Sequence, residues 1–77
     1  MPSPSQMHTF LAVIETGSVR AAADRLVVSQ PAVSSVLGAL QRELGVRLFE
    51  RAGRGLRPTP AGHAFALDAR RIGALLG

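Results

Sequence analysis

The side chains best equipped for chemistry in this sequence are arginines, serines and one glutamine, and their spacing is more informative than their number. All nine basic residues are arginine, at positions 20, 25, 42, 47, 51, 54, 57, 70 and 71. A guanidinium is a planar fork of donors that matches phosphate oxygens and the edge of guanine. A bias toward GC-rich codons would give the same excess, so position carries the argument. Arg47, Arg51, Arg54 and Arg57 fall within eleven residues that Glu50 alone offsets. Upstream lies Ser29-Gln30-Pro31-Ala32, followed by Ser34, Ser35 and Val36. Glutamine can pair bidentately with adenine, serine hydroxyls bond to bases or phosphates, and Pro31 or Ala32 can touch a thymine methyl.

Other chemistries find little support. With no cysteine, neither a disulfide framework nor a thiolate zinc site is available. His8 and His63 are isolated, with no acidic partner at ligand spacing, so no metal site is expected. No nucleophile has a base at useful spacing, and Gly53-Arg54-Gly55 lacks the rest of a phosphate loop. The sequence calls for no cofactor and does not read as an enzyme.

The 77 residues suffice for one domain, with a net charge of +4. Met1-Pro2-Ser3-Pro4 is unlike a signal peptide, and the longest apolar run, Phe10 to Ile14, is too short to span a bilayer. The reading is a soluble cytoplasmic protein.

Four helices and a hairpin must position these groups. Ser3 and Gln6 form a capping box with Pro4 at the first helical position, opening a helix over about residues 4 to 16. Its apolar face is Met7, Phe10, Leu11 and Ile14, and Gly17 stops it. Ser18 caps a short second helix to Leu26, whose Ala21, Ala22 and Ala23 permit close helix approach. Ser29 caps a third helix with the stripe Val33, Leu37, Leu40 and Leu44, ended by Gly45. From Val46 to Pro58 the period changes. Val46, Leu48 and Phe49 are apolar, Gly53-Arg54-Gly55 turns, and Leu56 returns to the core, a two-stranded hairpin. Thr59-Pro60 opens a last helix with the apolar stripe Ala61, Phe65, Ala69, Ile72 and Leu76, leaving Arg70 and Arg71 off it on a solvated face.

A short helix, a tight turn and a longer helix place the second in reach of a major groove, and a basic hairpin directly after it has the position of a wing. The expected fold is mainly α, a winged helix-turn-helix with a three-helix core, a short two-stranded wing and a C-terminal linker helix. In isolation, Ser29-Gln30-Pro31 is no more than a helix cap with an exposed glutamine; the neighbouring wing gives it a binding role.

The motifs Gly17-Ser18-Val19 with Ala21-Ala22, Val28-Ser29-Gln30-Pro31-Ala32-Val33-Ser34, Glu43-Leu44-Gly45, Leu48-Phe49-Glu50-Arg51 and Thr59-Pro60-Ala61-Gly62 occur in this order. Together they resemble the N-terminal domain of LysR-type bacterial transcription regulators, over about Gln6 to Leu76. The resemblance implies a reading head for double-stranded DNA with an interrupted inverted-repeat operator. It implies Ser18 near a phosphate, the region of Ser29, Gln30, Pro31, Ala32, Ser34, Ser35 and Val36 on the recognition helix, and Arg51 and Arg54 on the wing. It further implies a homodimer through the last helix at Ala61, Phe65, Ala69, Ile72 and Leu76, with tetramers in the full-length protein. Residues 1–58 would then read DNA and 59–77 would link and dimerise, in a bacterial, nucleoid-associated protein whose effector domain is absent from this chain.

The family commonly carries a basic residue at the position of Ser35 and polar or basic residues near Val36 and Gly38, so this recognition helix is expected to make fewer charged contacts. Two other classes compete. A winged fold can be a protein-interaction module, toward which Val36, Gly38 and Ala39 lean. A small basic protein can bind structured RNA, but three phenylalanines at core-like positions supply no stacking platform.

Overall fold

The computed structural model describes residues 2–76, with side chains through Ile72. In chain order the elements are α1 (Pro4–Thr16), α2 (Val19–Leu26), α3 (Gln30–Leu44), β1 (Phe49–Ala52), β2 (Gly55–Pro58) and α4 (Pro60–Leu76).

Local chemistry sets the boundaries. Ser3 and Gln6 form both halves of the capping box, with bonds of 2.8 and 3.1 Å, and Gly17 closes α1 in the left-handed region at φ 79°. Ser18 and Ser29 cap α2 and α3 by accepting from the N–H groups of Ala21 and Ala32. The end of α2 departs from the usual choice. Val27, a β-branched residue, occupies the left-handed region at φ 57°, and the Val28 N–H bonds to the Ala23 carbonyl behind it.

The core is one cluster in which Phe10, Val13, Val33, Leu40 and Leu48 are the largest fully buried side chains. Phe10 is its centre. Its ring meets Phe49 of β1 at 5.3 Å and Phe65 of α4 at 5.0 Å, the latter edge-on, so one side chain joins α1 to the hairpin and to the last helix. Ala22 and Ala23 are buried, and their small side chains allow α2 to lie close against α1 and α3.

The antiparallel hairpin pairs Phe49 with Pro58, Glu50 with Arg57, Arg51 with Leu56 and Ala52 with Gly55. Its loop is Gly53-Arg54, and positive φ at Gly53 but not at Arg54 is the pattern of a type II′ turn, which suits the strand twist. The strands begin later than the change of period suggested. Val46, read as the first apolar position of the hairpin, precedes β1 and is 43% exposed, because the Gly45 cap carries the chain around the end of α3 and the Val46 N–H bonds back to the Gln41 carbonyl. Leu48, three residues on from that cap, fills the interior instead.

Helix α4 shares the same core, with Ala66 and Ala69 buried and Phe65 and Ile72 packed against it. Of the stripe expected to pair two copies, Ala69, at 1% exposed, is covered by its own chain. Among the described residues of α4, Ala66 and Ala69, flanked by Phe65 and Ile72, supply the apolar side that joins the cluster of Phe10 and its neighbours. Ala61, Phe65 and Ile72 are half-buried on its edge, Leu67 is 57% exposed, and the Leu76 side chain is outside the described residues.

Candidate nucleic-acid interface

A groove lies beside the third helix. It encloses about 500 Å³ between the start of α2, the outer side of α3 and the hairpin, and its walls include Ser18, Arg20, Gln30, Ser34, Gln41, Arg47, Arg51 and Arg54. Gln30 and Ser34, one helical turn apart, look into it from α3, with Leu37 and Gly38 beside them.

The electrostatics follow from the partners. Among the described residues, Arg25 pairs with Glu15 at 2.6 Å and Arg57 with Glu50 at 2.9 Å. Glu50, the single acid within the basic segment and part of the groove's lining, is engaged with the cross-strand Arg57. Arg20, Arg47, Arg51 and Arg54 are held in none of the described ion pairs, and all four are exposed around the groove. Four guanidiniums outside the described ion pairs around one concavity suit a polyanion.

Backbone tethers hold the walls in place. The Leu56 N–H bonds to the Gly17 carbonyl at 2.9 Å, tying β2 to the turn between α1 and α2. The approach is so close that a Cβ on Gly55 would collide with the same carbonyl. At the other end, Gln41 Oε1 accepts from the Leu48 N–H at 2.7 Å and from the Phe49 N–H at 3.4 Å, anchoring the root of the wing to α3. Thr59 completes the attachment: its hydroxyl donates to the Arg47 carbonyl at 2.6 Å and its N–H to that of Leu48 at 3.0 Å.

The expected residues do not all share this groove. Ser18, Gln30, Ser34, Arg51 and Arg54 do. Pro31 and Ser35 are exposed on the outermost line of α3. Ala32 and Val36 lie around the helix in a smaller, mostly apolar depression with Ser5, His8, Thr9, Leu26, Val28 and Val33. Ser18 and Ser29 already accept backbone N–H groups as caps, which leaves each hydroxyl proton free to donate outward. Sequence reasoning missed Arg20, Arg47 and Gln41. Arg47 belonged to the counted basic cluster and Arg20 to the arginine total, whereas nothing in the sequence marked Gln41, whose importance arises from a loop folding over it.

The architecture defines a class: three packed helices, the third exposed, followed by a basic antiparallel wing that flanks it, a winged helix-turn-helix. Within that class the chain belongs to the lysR family of bacterial regulatory helix-turn-helix proteins, whose family model matches residues 4–63. It is 53% identical over 72 residues to the HTH-type transcriptional regulator TcbR of Pseudomonas sp. (strain P51), covering 94% of this chain and 24% of that protein. With the regulator TfdS of Cupriavidus pinatubonensis (strain JMP 134 / LMG 1197) it shares 54% over 67 residues, 87% of this chain and 23% of the relative. The chain thus spans about a quarter of the length of these curated relatives. Among solved structures, the CbnR DNA-binding domain in complex with DNA superposes with a TM-score of 0.94 at 51% identity, covering 97% of this chain and 86% of that one. The BenM DNA-binding domain with benA site 1 DNA gives 0.91 at 35% identity, over 96% and 86%. The named relatives are transcriptional regulators, and among the described residues no helix is long and apolar enough to cross a membrane.

Proposed function

We propose that this chain binds double-stranded DNA sequence-specifically, as the reading head of a bacterial transcription regulator. The observation that carries the proposal is the groove between α3 and the hairpin, where Gln30 and Ser34 face the same space as four arginines free of described ion pairs. In this reading α3 enters the major groove. Gln30 and Ser34 contact base edges, Pro31, Ala32, Ser35 and Val36 line the helix surface against the bases, and Ser18 and Ser29 donate to phosphates. Arg51 and Arg54 hold the wing on the backbone or in a narrow minor groove. The similarity to DNA-bound CbnR and BenM domains supports the assignment.

Residues 1–58 would do the reading, and 59–77 would link this head to a second copy, so that two half-sites of an interrupted inverted repeat are engaged together. The surface for that pairing is the outward edge of α4, at Ala61, Ala64 and the exposed parts of Phe65 and Ile72. The setting for such a regulator is the bacterial cytoplasm, on the nucleoid.

The test is a fluorescence-anisotropy titration against a randomised duplex pool and an RNA hairpin at two salt concentrations, with bound duplexes sequenced. Salt-sensitive duplex binding that enriches an interrupted inverted repeat is expected. Absence of duplex binding at low salt would reject the proposal in favour of a protein-interaction module.

A further inference from the structure

The groove does not end at Ser34. Past Gly38 it runs into a second depression of about 410 Å³ at the C-terminal half of α3, lined by Gly38, Gln41, Arg42, Gly45, Val46 and Arg47. Gly38, Gln41 and Arg47 border both spaces. No carboxylate lines the second one, and two guanidiniums do.

Gly38 shapes this region by what it lacks. Pro31, Ser35, Gly38 and Arg42 follow one another at i, i+4, i+7 and i+11, so they form a single line along the outer side of α3. A Cβ built on Gly38 would stand 3.2 Å from Arg42 Nη1, which shows that the Arg42 side chain folds back toward the N-terminus and lies over the bare helix at that point. A glycine in a helix interior costs about 1 kcal/mol relative to alanine. Here the missing methyl gives the guanidinium of the following turn a place on the surface that otherwise carries Pro31 and Ser35.

We infer that Gly38, Arg42 and Arg47 form a second phosphate-holding site, in which the two guanidiniums grip the nucleic-acid backbone beside the C-terminal half of α3. The negative end of the helix dipole, equivalent to about half a charge, disfavours an anion there; two full positive charges outweigh it. The site restores the charged contacts that Ser35, Val36 and Gly38 fail to supply themselves. It rests on the proposed DNA-binding reading, with the phosphodiester backbone as its ligand.

Titrations of Arg42→Ala, Arg47→Ala, Gly38→Ala and the Gly38→Ala/Arg42→Ala double variant with the selected duplex and with a random duplex test the site. Each arginine variant should flatten the dependence of log affinity on log salt by about 0.9, so its deficit should grow about 3.5-fold between 200 and 50 mM salt, equally on both duplexes. Gly38→Ala should raise the melting temperature yet weaken binding, and should add nothing in the Arg42→Ala background. Arg25→Ala, whose partner is Glu15 outside the groove, is the control and should leave the slope unchanged. Unaltered slopes for Arg42→Ala and Arg47→Ala, in a chain that itself binds duplex, would overturn the site alone. Failure of the unaltered chain to bind duplex would overturn the DNA-binding reading and this site with it.

Discussion

Gln41 on α3 and Leu48 at the root of the wing are joined through a side-chain oxygen and a backbone N–H at 2.7 Å, so one amide ties the recognition helix directly to the wing. Leu48 is fully buried, and an N–H left without a partner there costs about 1–3 kcal/mol. Gln41→Ala should therefore lower stability by that amount and loosen the wing, which would appear as weaker duplex binding at every salt concentration. Gln41→Glu keeps the acceptor but puts a negative charge in the arginine-lined groove. It should hold its stability in chemical denaturation while losing affinity for duplex.

A second attachment is steric. A Cβ on Gly62 would overlap the Leu48 carbonyl and come within 3.2 Å of Pro58 Cβ. Both obstacles are rigid, since that carbonyl also accepts from Thr59. Gly62→Ala should destabilise by about 1–3 kcal/mol despite the better helix propensity of alanine, measured by denaturant midpoint. A neutral or stabilising outcome would mean that α4 does not press on the wing as described.

These two contacts mark where the sequence stops being legible. The helices could be read because their signals are local: Ser3, Ser18 and Ser29 announce starts, Gly17 and Gly45 announce ends, and Met7 and Phe10 on α1 and Val33, Leu37 and Leu40 on α3 recur at the helical period. Gln30, Ser34, Arg51 and Arg54 were picked out by the family resemblance, with their chemistry in support, and the fold brings them to one groove. Gln41 and Val46 depend on how a loop doubles back over the end of α3, which no periodicity encodes. How the stripe of α4 is divided between its own core and another copy was not legible either. A single apolar stripe on a helix indicates that something covers it, but does not distinguish the helix's own core from another subunit.

Val27 gives a prediction about stability alone. It is 88% exposed, so its side chain gains little from packing, yet its φ of 57° is costly for a β-branched residue. Val27→Asn should stabilise the chain by about 1 kcal/mol, because asparagine tolerates the left-handed region. For a domain of this size that corresponds to a rise of about 4–8 °C in melting temperature. A fall in Tm would show that Val27 makes contacts that outweigh its strain.

The division of labour across the groove can be tested with two substitutions. Gln30→Ala removes a side chain placed to read a base edge, and should reduce discrimination at one base pair by about 1–3 kcal/mol while random-duplex affinity stays nearly constant. Arg54→Ala, at the tip of the wing, should weaken all duplexes alike and lower the salt slope by about 1. Reversal of these two patterns, read from selection profiles at fixed salt, would exchange the proposed roles of helix and wing.

Helix α4 requires a test that separates pairing from folding. Phe65 is the obvious target on the apolar stripe, but its ring packs edge-on against Phe10 at 5.0 Å, so a charge there would damage the chain's own core and abolish assembly indirectly. Ala64 is exposed, on the side of α4 away from buried Ala66 and Ala69 and beside the half-buried edge of Ala61, Phe65 and Ile72. Ala64→Glu places like charges against each other across a two-fold seam without touching the interior. Sedimentation should find monomers, the melting temperature at low concentration should hold, and affinity should drop on two half-sites but not on one. A dimer that survives Ala64→Glu would exclude this edge of α4 as the contact between copies.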